Sequence, residues 1–210
     1  CLHVTDEYGI TVLTDTTERS PTFSLAPFEN ALETNPRAAW TYLTVEGSTS
    51  SLRTWHHILA RDPRPLDWPG FTHRYGIEVV EGFDFSGAAA ERRKALPGEP
   101  PDIFSVLSKE SSIEIAVGDM RVSLHKPGSL LCEHLLLKCA LNICSTLVMG
   151  RLGRFSGNLM LYVKASNNKL VDRSIRFTRQ LMSDAGVVPA SYEDTCYAIY
   201  QTASELSAEE

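Results

Sequence analysis

The sequence predicts an α/β fold, because strand-like and helix-like patterns alternate along its 210 residues. Apolar and β-branched residues alternate over residues 9–14 and again over residues 39–45, as they do in half-buried strands. An apolar segment over residues 130–149 is long enough for a central helix, and 43% of the chain is hydrophobic. One sizeable core, with or without a small appendage, is therefore expected.

The first strand is expected over residues 9–14, Gly-Ile-Thr-Val-Leu-Thr. Residues 15–20 are polar and Pro21 follows, which predicts a loop at the end of that strand. Open α/β sheets bind ligands at strand ends, and the hydroxyl, carboxylate and guanidinium groups of this loop suit a sugar phosphate. An ordinary polar loop is the simpler interpretation, and it is favoured when the run is considered alone.

The second strand is expected over residues 39–45. Ser50 or Ser51 then suits the N-cap of a helix over residues 52–61, whose apolar residues recur at helical spacing. Three prolines within residues 62–76 indicate an extended surface loop.

The middle of the chain predicts several short elements. A short strand is expected between Gly76 and Gly82, and Ser86 is placed to cap a charged helix over residues 87–95. Three more strands are expected in succession, over residues 102–107, 112–117 and 120–125. The dipeptide Gly-Asp between the last two strands indicates a hairpin.

The longest apolar segment, residues 130–149, predicts a long helix. At about 100° per residue its polar side chains fall within a stripe of about 80°. These side chains are His134, Lys138, Asn142 and Ser145. We therefore expect a helix that is buried on most sides, with one narrow polar seam. A membrane span is not expected, because polar and charged side chains near the bilayer centre would each cost about 1–3 kcal/mol.

The C-terminal part opens with Ser166-Asn167-Asn168-Lys169, directly before a helical pattern over residues 167–184. Lys169 would lie in the first turn, where the helix dipole disfavours a cation by a few tenths to about 1 kcal/mol. The same position combines free backbone N–H groups with an ammonium group, which favours an anion such as phosphate.

The structural alternative for Lys169 is an ion pair with Asp172 or Asp15. Further along the chain, a capping box at residues 191–194 predicts a last helix to about residue 206.

Composition narrows the class of protein. A net charge of −6 argues against nucleic acid or an anionic membrane as a partner. The five cysteines are an odd number without zinc-type spacing, so no metal site is expected. No cofactor is expected either, because the glycines at 150, 153 and 157 follow a helix and are not a dinucleotide fingerprint. We expect reduced thiols that serve as small hydrophobes in a cytoplasmic protein. Because the chain starts at Cys1 without methionine, we expect it to be a fragment of a longer protein.

A resemblance to a known family is concentrated in residues 145–173. The motifs that carry it are Ser-Thr-Leu-Val-Met from residue 145, Leu-Gly-Arg from 152, Gly-Asn-Leu-Met from 157 and Ser-Asn-Asn-Lys-Leu from 166. Together they resemble the C-terminal part of sugar isomerase (SIS) domains in the N-acetylmuramic acid 6-phosphate etherase and glucokinase regulatory protein group. A weaker match over residues 17–23 is similar to a loop in the second SIS domain of the regulatory protein.

The resemblance implies a flavodoxin-type α/β sandwich over residues 1–164 and a C-terminal helical lid over residues 165–210. The irregular middle of the chain is expected to depart from the standard five-stranded sheet. In the family, the lysine at the start of the lid helix reaches the phosphate of a sugar phosphate, which corresponds to Lys169. The glutamate that meets the sugar corresponds to Glu18. Neighbouring polar side chains would assist: Ser20, Ser166 and Asn168.

Two family features are missing, the Gly/Ser-rich phosphate loop and the glutamate-bearing segment of etherase chemistry. Both belong to the first SIS domain, so the chain resembles the second SIS domain and lid of a protein like glucokinase regulatory protein. The absent N-terminal domain, or a second chain in a homodimer, would complete the sugar-phosphate site, and no catalytic residue is assigned. One alternative is part of an amino-sugar-phosphate lyase or isomerase such as the etherase. Another is a structural or regulatory domain whose ligand site has decayed.

Overall fold

The computed structural model describes most of the chain. The described residues are 1–19, 28–33, 42–65, 76–95, 102–163, 165 and 167–209. They form two compact units, Cys1–Cys144 and Ser145–Glu210. The functional boundary expected between residues 164 and 165 stays a prediction.

A five-stranded mixed sheet forms the centre of the first unit. Its strands are β1 (Leu2–Thr5), β2 (Tyr42–Val45), β3 (Ile103–Ser108), β4 (Ser112–Val117) and β5 (Met120–His125). The spatial order β2-β1-β3-β4-β5 is that of flavodoxin-like sheets. β1 pairs in parallel with β2 and β3, whereas β4 is antiparallel to both of its neighbours. The expected α/β fold is confirmed, and the sheet departs from an all-parallel arrangement at β4.

Helices flank the sheet and make up most of the second unit. Those of the first unit are α1 (Gly9–Arg19), α2 (Ser51–Leu59), α3 (Ile77–Glu81), α4 (Gly87–Lys94) and α5 (Leu130–Arg151), which continues into the second unit. The second unit adds β6 (Phe155–Ser156), β7 (Leu159–Met160), α6 (Asn168–Asp184) and α7 (Tyr192–Glu209).

Several predicted elements are confirmed. α2 follows Ser50, although the Ser50 side chain makes no capping hydrogen bond. The Ser86 hydroxyl caps α4, because it accepts a hydrogen bond from the Ala89 N–H at 3.4 Å. β3, β4 and β5 match the three successive strands, and Gly118 begins their two-residue turn with a φ of 54°.

Two predictions lie partly outside the described residues. β2 matches the end of the strand expected over residues 39–45, while residues 39–41 are not described. In the loop expected over residues 62–76, residues 62–65 are irregular and residues 66–75 are not described.

Two predicted strands are wrong. Residues 9–14 belong to α1, and the segment between Gly76 and Gly82 contains α3. In α1, threonine hydroxyls donate hydrogen bonds to the carbonyls four residues earlier, so the helix accommodates its β-branched residues. These threonines are Thr14, Thr16 and Thr17. Val12 is buried in the core, and this packing outweighs the strand propensity of the segment.

The loop expected over residues 15–20 is also wrong, because α1 continues to Arg19. Ser20 lies outside the described residues.

The core of the first unit lies on one face of the sheet, where residues from α1, α2 and α5 pack. The buried residues of this core are Tyr8, Val12, Leu43, Val45, Ile58, Phe85, Val106, Ile113, Leu137 and Leu141. α4 packs on the opposite face of β2, and the Arg93 guanidinium lies 3.7 Å from the centre of the Tyr42 ring. Removal of this apolar surface from water is the main favourable contribution to stability.

α5 is the expected long helix, but the prediction of its burial is wrong. Leu137 and Leu141 are buried in the core, whereas most of its other large apolar side chains are exposed. The exposed ones are Leu130, Leu131, Leu135, Ile143, Leu147 and Val148. Its three cysteines are free and exposed as well, so they do not serve as core hydrophobes: Cys132, Cys139 and Cys144.

The polar seam of α5 explains this orientation, because it faces α1 and the loop before α1. Thr11 Oγ1 and His134 Nδ1 share a hydrogen bond of 2.7 Å. The buried Tyr8 hydroxyl donates to Glu133 Oε2 at 2.7 Å. Burial and then this hydrogen bond raise the pKa of Tyr8 well above its ordinary value, so the phenol keeps its proton.

By length and composition alone, α5 is long and apolar enough to cross a membrane. That criterion is also met by core helices of soluble proteins, so it is weak evidence. No membrane anchor is assigned to α5, and the expected absence of a membrane partner stays a prediction.

We expect Tyr8→Phe to lower the free energy of unfolding by about 1–3 kcal/mol, because the buried Glu133 carboxylate loses its donor. Urea denaturation followed by circular dichroism measures this change. Tyr192→Phe is the matched control, because Tyr192 donates to Asp172 at an exposed position. We expect its effect to stay within about 0.5 kcal/mol. Equal effects of the two substitutions would contradict the structural role of the Tyr8 hydroxyl.

Candidate functional site

The start of α6 carries the predicted anion-binding lysine. Asn167 is the N-cap residue, and its side-chain oxygen accepts a hydrogen bond from the Leu170 N–H at 3.1 Å. The expected helix start is therefore confirmed. Lys169 lies in the first turn, and its side chain is exposed. This position keeps an ammonium group next to the positive end of the helix dipole.

Lys169 forms no ion pair within the described ranges of the chain. Asp172, one of its two alternative partners, instead accepts from Arg176 Nε at 2.9 Å and from the Tyr192 hydroxyl at 2.8 Å. Hydrogen bonds from Arg176 and then Tyr192 lower the pKa of Asp172, so it remains a carboxylate. The pairing alternative with Asp172 is therefore wrong, and the charge of Lys169 is available to an external anion.

Two other predicted ligand residues lie close to Lys169 in sequence. Asn168 is the first residue of α6, and its side chain is exposed. Ser166 lies outside the described residues. The structure therefore describes an ammonium and an amide at this helix start.

α7 holds the other side of α6 in place. Ser191 caps α7 as expected, because the Asp194 N–H donates to Ser191 Oγ at 3.0 Å. The Asp194 carboxylate accepts from the Ser191 hydroxyl at 2.7 Å rather than from the backbone N–H that a full capping box uses. Val171 and Ile175 of α6 are buried, and Arg179 Nε donates to the Ala190 carbonyl at 3.0 Å. These contacts fix the axis of α6 and hence the direction of its N-terminus.

Glu18, the predicted sugar contact, lies in the last turn of α1 in the first unit. Its side chain is 60% exposed, and its Oε2 accepts a hydrogen bond from Lys138 Nζ at 2.7 Å. Lys138 also donates to the nearly buried Asp15 at 2.8 Å. Burial alone would lower the pKa of Lys138, but Asp15 and Glu18 together raise it. The lysine therefore remains charged and holds both carboxylates.

The position of Glu18 differs from that of a loop at a carboxyl strand end. α1 begins after the carboxyl end of β1 and leads to the parallel strand β2, so its last turn returns toward the amino ends of these strands. The charge of Asp15 acts on His3, near the start of β1, which agrees with this direction.

The carboxyl ends of β1 and β3 carry a cluster that the sequence did not reveal. Both carboxylate oxygens of Asp6 accept from the Ser108 N–H, at 2.8 and 3.0 Å. Lys126 Nζ donates to Ser108 Oγ at 2.6 Å, and His57 Nε2 lies 2.8 Å from the Asp6 carbonyl. These contacts are internal, so they stabilise the strand ends. β1 itself was not predicted from the sequence, so the position of Asp6 directly after a strand could not point to this cluster.

A pocket of about 350 Å³ lies between β2, α4 and residues 28–31. The Arg93 guanidinium forms part of its wall and pairs with Glu29, and burial lowers the pKa of Arg93 to about 10. Arg92 pairs with Asp84 at 3.0 Å. None of the predicted site residues lines this pocket.

Metal-ligating side chains do not cluster in the described part of the chain. No group of three or more His, Cys, Asp or Glu side chains there could hold a metal ion.

The structure is a mixed α/β fold with an exposed lysine at a helix start, and local stretches of the chain are similar to known proteins. Three relatives are each named N-acetylmuramic acid 6-phosphate etherase. The protein of Synechococcus sp. (strain CC9902) is 62% identical over 45 residues, 21% of this chain and 14% of the relative. That of Porphyromonas gingivalis (strain W83) is 51% identical over 57 residues, 27% of this chain and 19% of the relative. That of Prochlorococcus marinus (strain MIT 9313) is 39% identical over 85 residues, 34% of this chain and 27% of the relative.

The similarity is therefore high but local. The matched stretches span 14 to 27% of the length of these relatives. No family model matches the chain. No solved structure matches it either.

We expect Asn167→Ala to lower the free energy of unfolding by about 1 kcal/mol, because it removes the side chain that caps α6. Asn168→Ala is the matched control, because the neighbouring amide makes no capping hydrogen bond. Its effect should stay within about 0.5 kcal/mol. Chemical denaturation monitored by circular dichroism compares the two, and a larger loss for Asn168→Ala would contradict the assigned cap.

Proposed function

We propose that the chain is the sugar-phosphate-binding region of an etherase-type protein that acts on an amino-sugar phosphate. The observation that carries this proposal is the 62% identity over 45 residues to a protein named N-acetylmuramic acid 6-phosphate etherase. The relatives with this name favour the etherase interpretation over the one based on glucokinase regulatory protein. The sugar isomerase resemblance of residues 145–173 agrees with it.

Lys169 is the proposed phosphate contact. Its exposed ammonium group lies beside the free N–H groups at the start of α6, and both attract an anion. A phosphate would also relieve the unfavourable position of a cation at a helix N-terminus. Asn168 and Ser166 are proposed to donate further hydrogen bonds to the phosphate.

Glu18 is the proposed contact to a sugar hydroxyl, with Ser20 as its neighbour. A carboxylate accepts hydrogen bonds from hydroxyl groups and has room for more than one donor. Lys138 holds one oxygen of Glu18, which restricts the side chain to a small set of orientations. Such preorganisation reduces the entropy lost when a ligand binds.

Turnover requires groups that are not assigned in this chain. Cleavage of an ether bond needs a general base and a general acid within reach of the sugar. We propose that a further SIS domain, or a second copy of the chain, supplies them. From the same etherase-type relatives, we also propose a cytoplasmic location.

Ligand-induced stabilisation tests the binding function. We expect N-acetylmuramic acid 6-phosphate to raise the melting temperature of the chain when it is combined with the proposed further SIS domain or second copy, because the chain alone carries only part of the site. Fructose 6-phosphate and inorganic phosphate are measured for comparison. The gain in the free energy of unfolding should rise with the ligand concentration and reach about 2.7 kcal/mol at one hundred times Kd. Lys169→Ala should weaken binding by about 10- to 100-fold, because it removes a charged donor.

Arg173→Ala is the matched control, since Arg173 is an exposed cation one turn further along α6. Its affinity should stay within about twofold of the unchanged chain. Equal losses of affinity in the two variants would mean that Lys169 acts only through the net charge of α6 and does not contact the phosphate. Unchanged binding in Lys169→Ala would contradict the phosphate role.

A further inference from the structure

The pocket beside β2 and α4 has the features of a site for a small organic ligand. Its volume of about 350 Å³ lies at the lower end of the range that such sites occupy, about 300–1,000 Å³. Its lining combines an apolar floor with a few charged groups, which is the usual composition of a ligand pocket. The apolar lining residues are Phe28, Leu43, Phe85 and Ala89.

One wall of the pocket is formed within residues 81–85 and is held in place by α2. The Ser51 hydroxyl donates a hydrogen bond to the Glu81 carbonyl at 2.6 Å. The Trp55 indole N–H donates to the Phe83 carbonyl at 3.0 Å. These bonds fix the backbone of the wall before any ligand arrives, and such preorganisation lowers the entropy lost on binding.

The opposite wall, residues 28–31, is attached to α3 and the residue that follows it. The buried Asn30 amide donates to the Val79 carbonyl at 2.8 Å, and the Ala31 N–H donates to the Gly82 carbonyl at 2.9 Å. A Cβ atom at Gly82 would overlap the Asn30 side chain, so this close approach requires glycine. Both walls of the pocket are therefore built into the fold.

Arg93 places a fixed positive charge in the pocket. Its side chain is 14% exposed, and its guanidinium lies 3.7 Å from the centre of the Tyr42 ring. A guanidinium this deeply buried needs a partner of opposite charge, and the Glu29 carboxylate provides it. The Glu29 side chain, however, is 44% exposed. The cation is thus the fixed member of the pair, and the carboxylate is the exchangeable one.

We propose that this pocket binds a small carboxylate with a flat apolar body, such as an aromatic acid, which replaces the Glu29 carboxylate at Arg93. A guanidinium binds a carboxylate through two parallel N–H···O hydrogen bonds. The apolar body of the ligand then lies against Leu43 and Phe85, which gives it a gain that the Glu29 side chain alone does not have. This site is independent of the proposed sugar-phosphate function.

The energetic cost of the exchange is small. An ion pair with a solvent-exposed partner contributes little, and the displaced Glu29 carboxylate is hydrated in water. An ammonium ligand is the alternative, because carboxylates outnumber guanidiniums in the lining. A cation held by Glu29 would draw this carboxylate away from Arg93 and leave a buried guanidinium unpaired, which is costly. The carboxylate ligand avoids this cost.

An NMR titration of the isotopically labelled chain with three probes tests the ligand class. Phenylacetate should shift the amide signals of pocket residues such as Phe85 and Ala89. Benzylamine carries the same ring with the opposite charge and should bind at least about tenfold more weakly. Acetate keeps the carboxylate but lacks the ring, and it should also bind at least about tenfold more weakly.

Arg93→Met tests the proposed partner of the carboxylate. It should weaken phenylacetate binding by at least about tenfold, because it removes the guanidinium but keeps a long side chain beside Tyr42. Lys94→Met is the matched control, since Lys94 pairs with Glu91 and does not belong to the described lining. Its affinity should stay within about twofold of the unchanged chain. Unchanged circular dichroism would show that both variants fold.

Glu29→Gln tests the exchange and leaves Arg93 in place. It should tighten phenylacetate binding about two- to fivefold, because it removes the competing carboxylate. Glu33→Gln is the matched control, since Glu33 is an exposed carboxylate outside the described lining of this pocket. Its affinity should equal that of the unchanged chain.

Two outcomes would overturn the proposal. The first is the absence of phenylacetate-dependent shifts at pocket residues in both the unchanged chain and Glu29→Gln. The second is tighter binding of benzylamine than of phenylacetate, weakened in Glu29→Gln, which would assign the pocket to an ammonium ligand. Neither outcome depends on whether the chain binds a sugar phosphate.

Discussion

The polar contact between α1 and α5 determines how the first unit is assembled. Lys138 donates to Asp15 and Glu18, and the Tyr8 hydroxyl donates to Glu133. Leaving the buried Glu133 carboxylate or the nearly buried Asp15 carboxylate unpaired would be costly, so each meets a donor on the other side of this contact. These contacts turn the side of α5 that carries Glu133, His134 and Lys138 toward α1 and the loop before it, and most of the large apolar side chains of α5 are exposed. The exposure of the apolar side chains of α5 and the restraint on Glu18 both follow from this contact.

The sequence revealed features that depend on neighbouring residues and missed those that depend on distant ones. The Asn167 cap, the Ser191 cap and the turn at Gly118 are local, because each uses bonds within a few residues. The orientation of α5 depends on partners such as Glu133 and Tyr8, which are 125 residues apart. A periodic pattern gives the polar side of a helix, but the direction in which that side points depends on what it pairs with.

In the candidate site, too, the local features were predicted and those that depend on distant residues were not. Lys169 was predicted from its position at a helix start, and the structure places it there with an exposed side chain. The ion pair of Glu18 could not be predicted, because its partner Lys138 lies on another helix. The helical conformation of α1 was missed because its threonines have strand propensity, although their hydroxyls bond within the helix. The position of a cation at a helix start can therefore be predicted from this sequence. The partners of the charged side chains cannot.

The orientation of α5 is the central claim, and the reactivity of its cysteines tests it most directly. The structure leaves Cys132, Cys139 and Cys144 exposed. In the native chain at low concentration, a maleimide reagent should modify all three cysteines nearly as fast as in the urea-unfolded chain, as measured by peptide mass spectrometry. Strong protection of all three thiols in the native chain would contradict the account, because it would place the apolar side of α5 in the core.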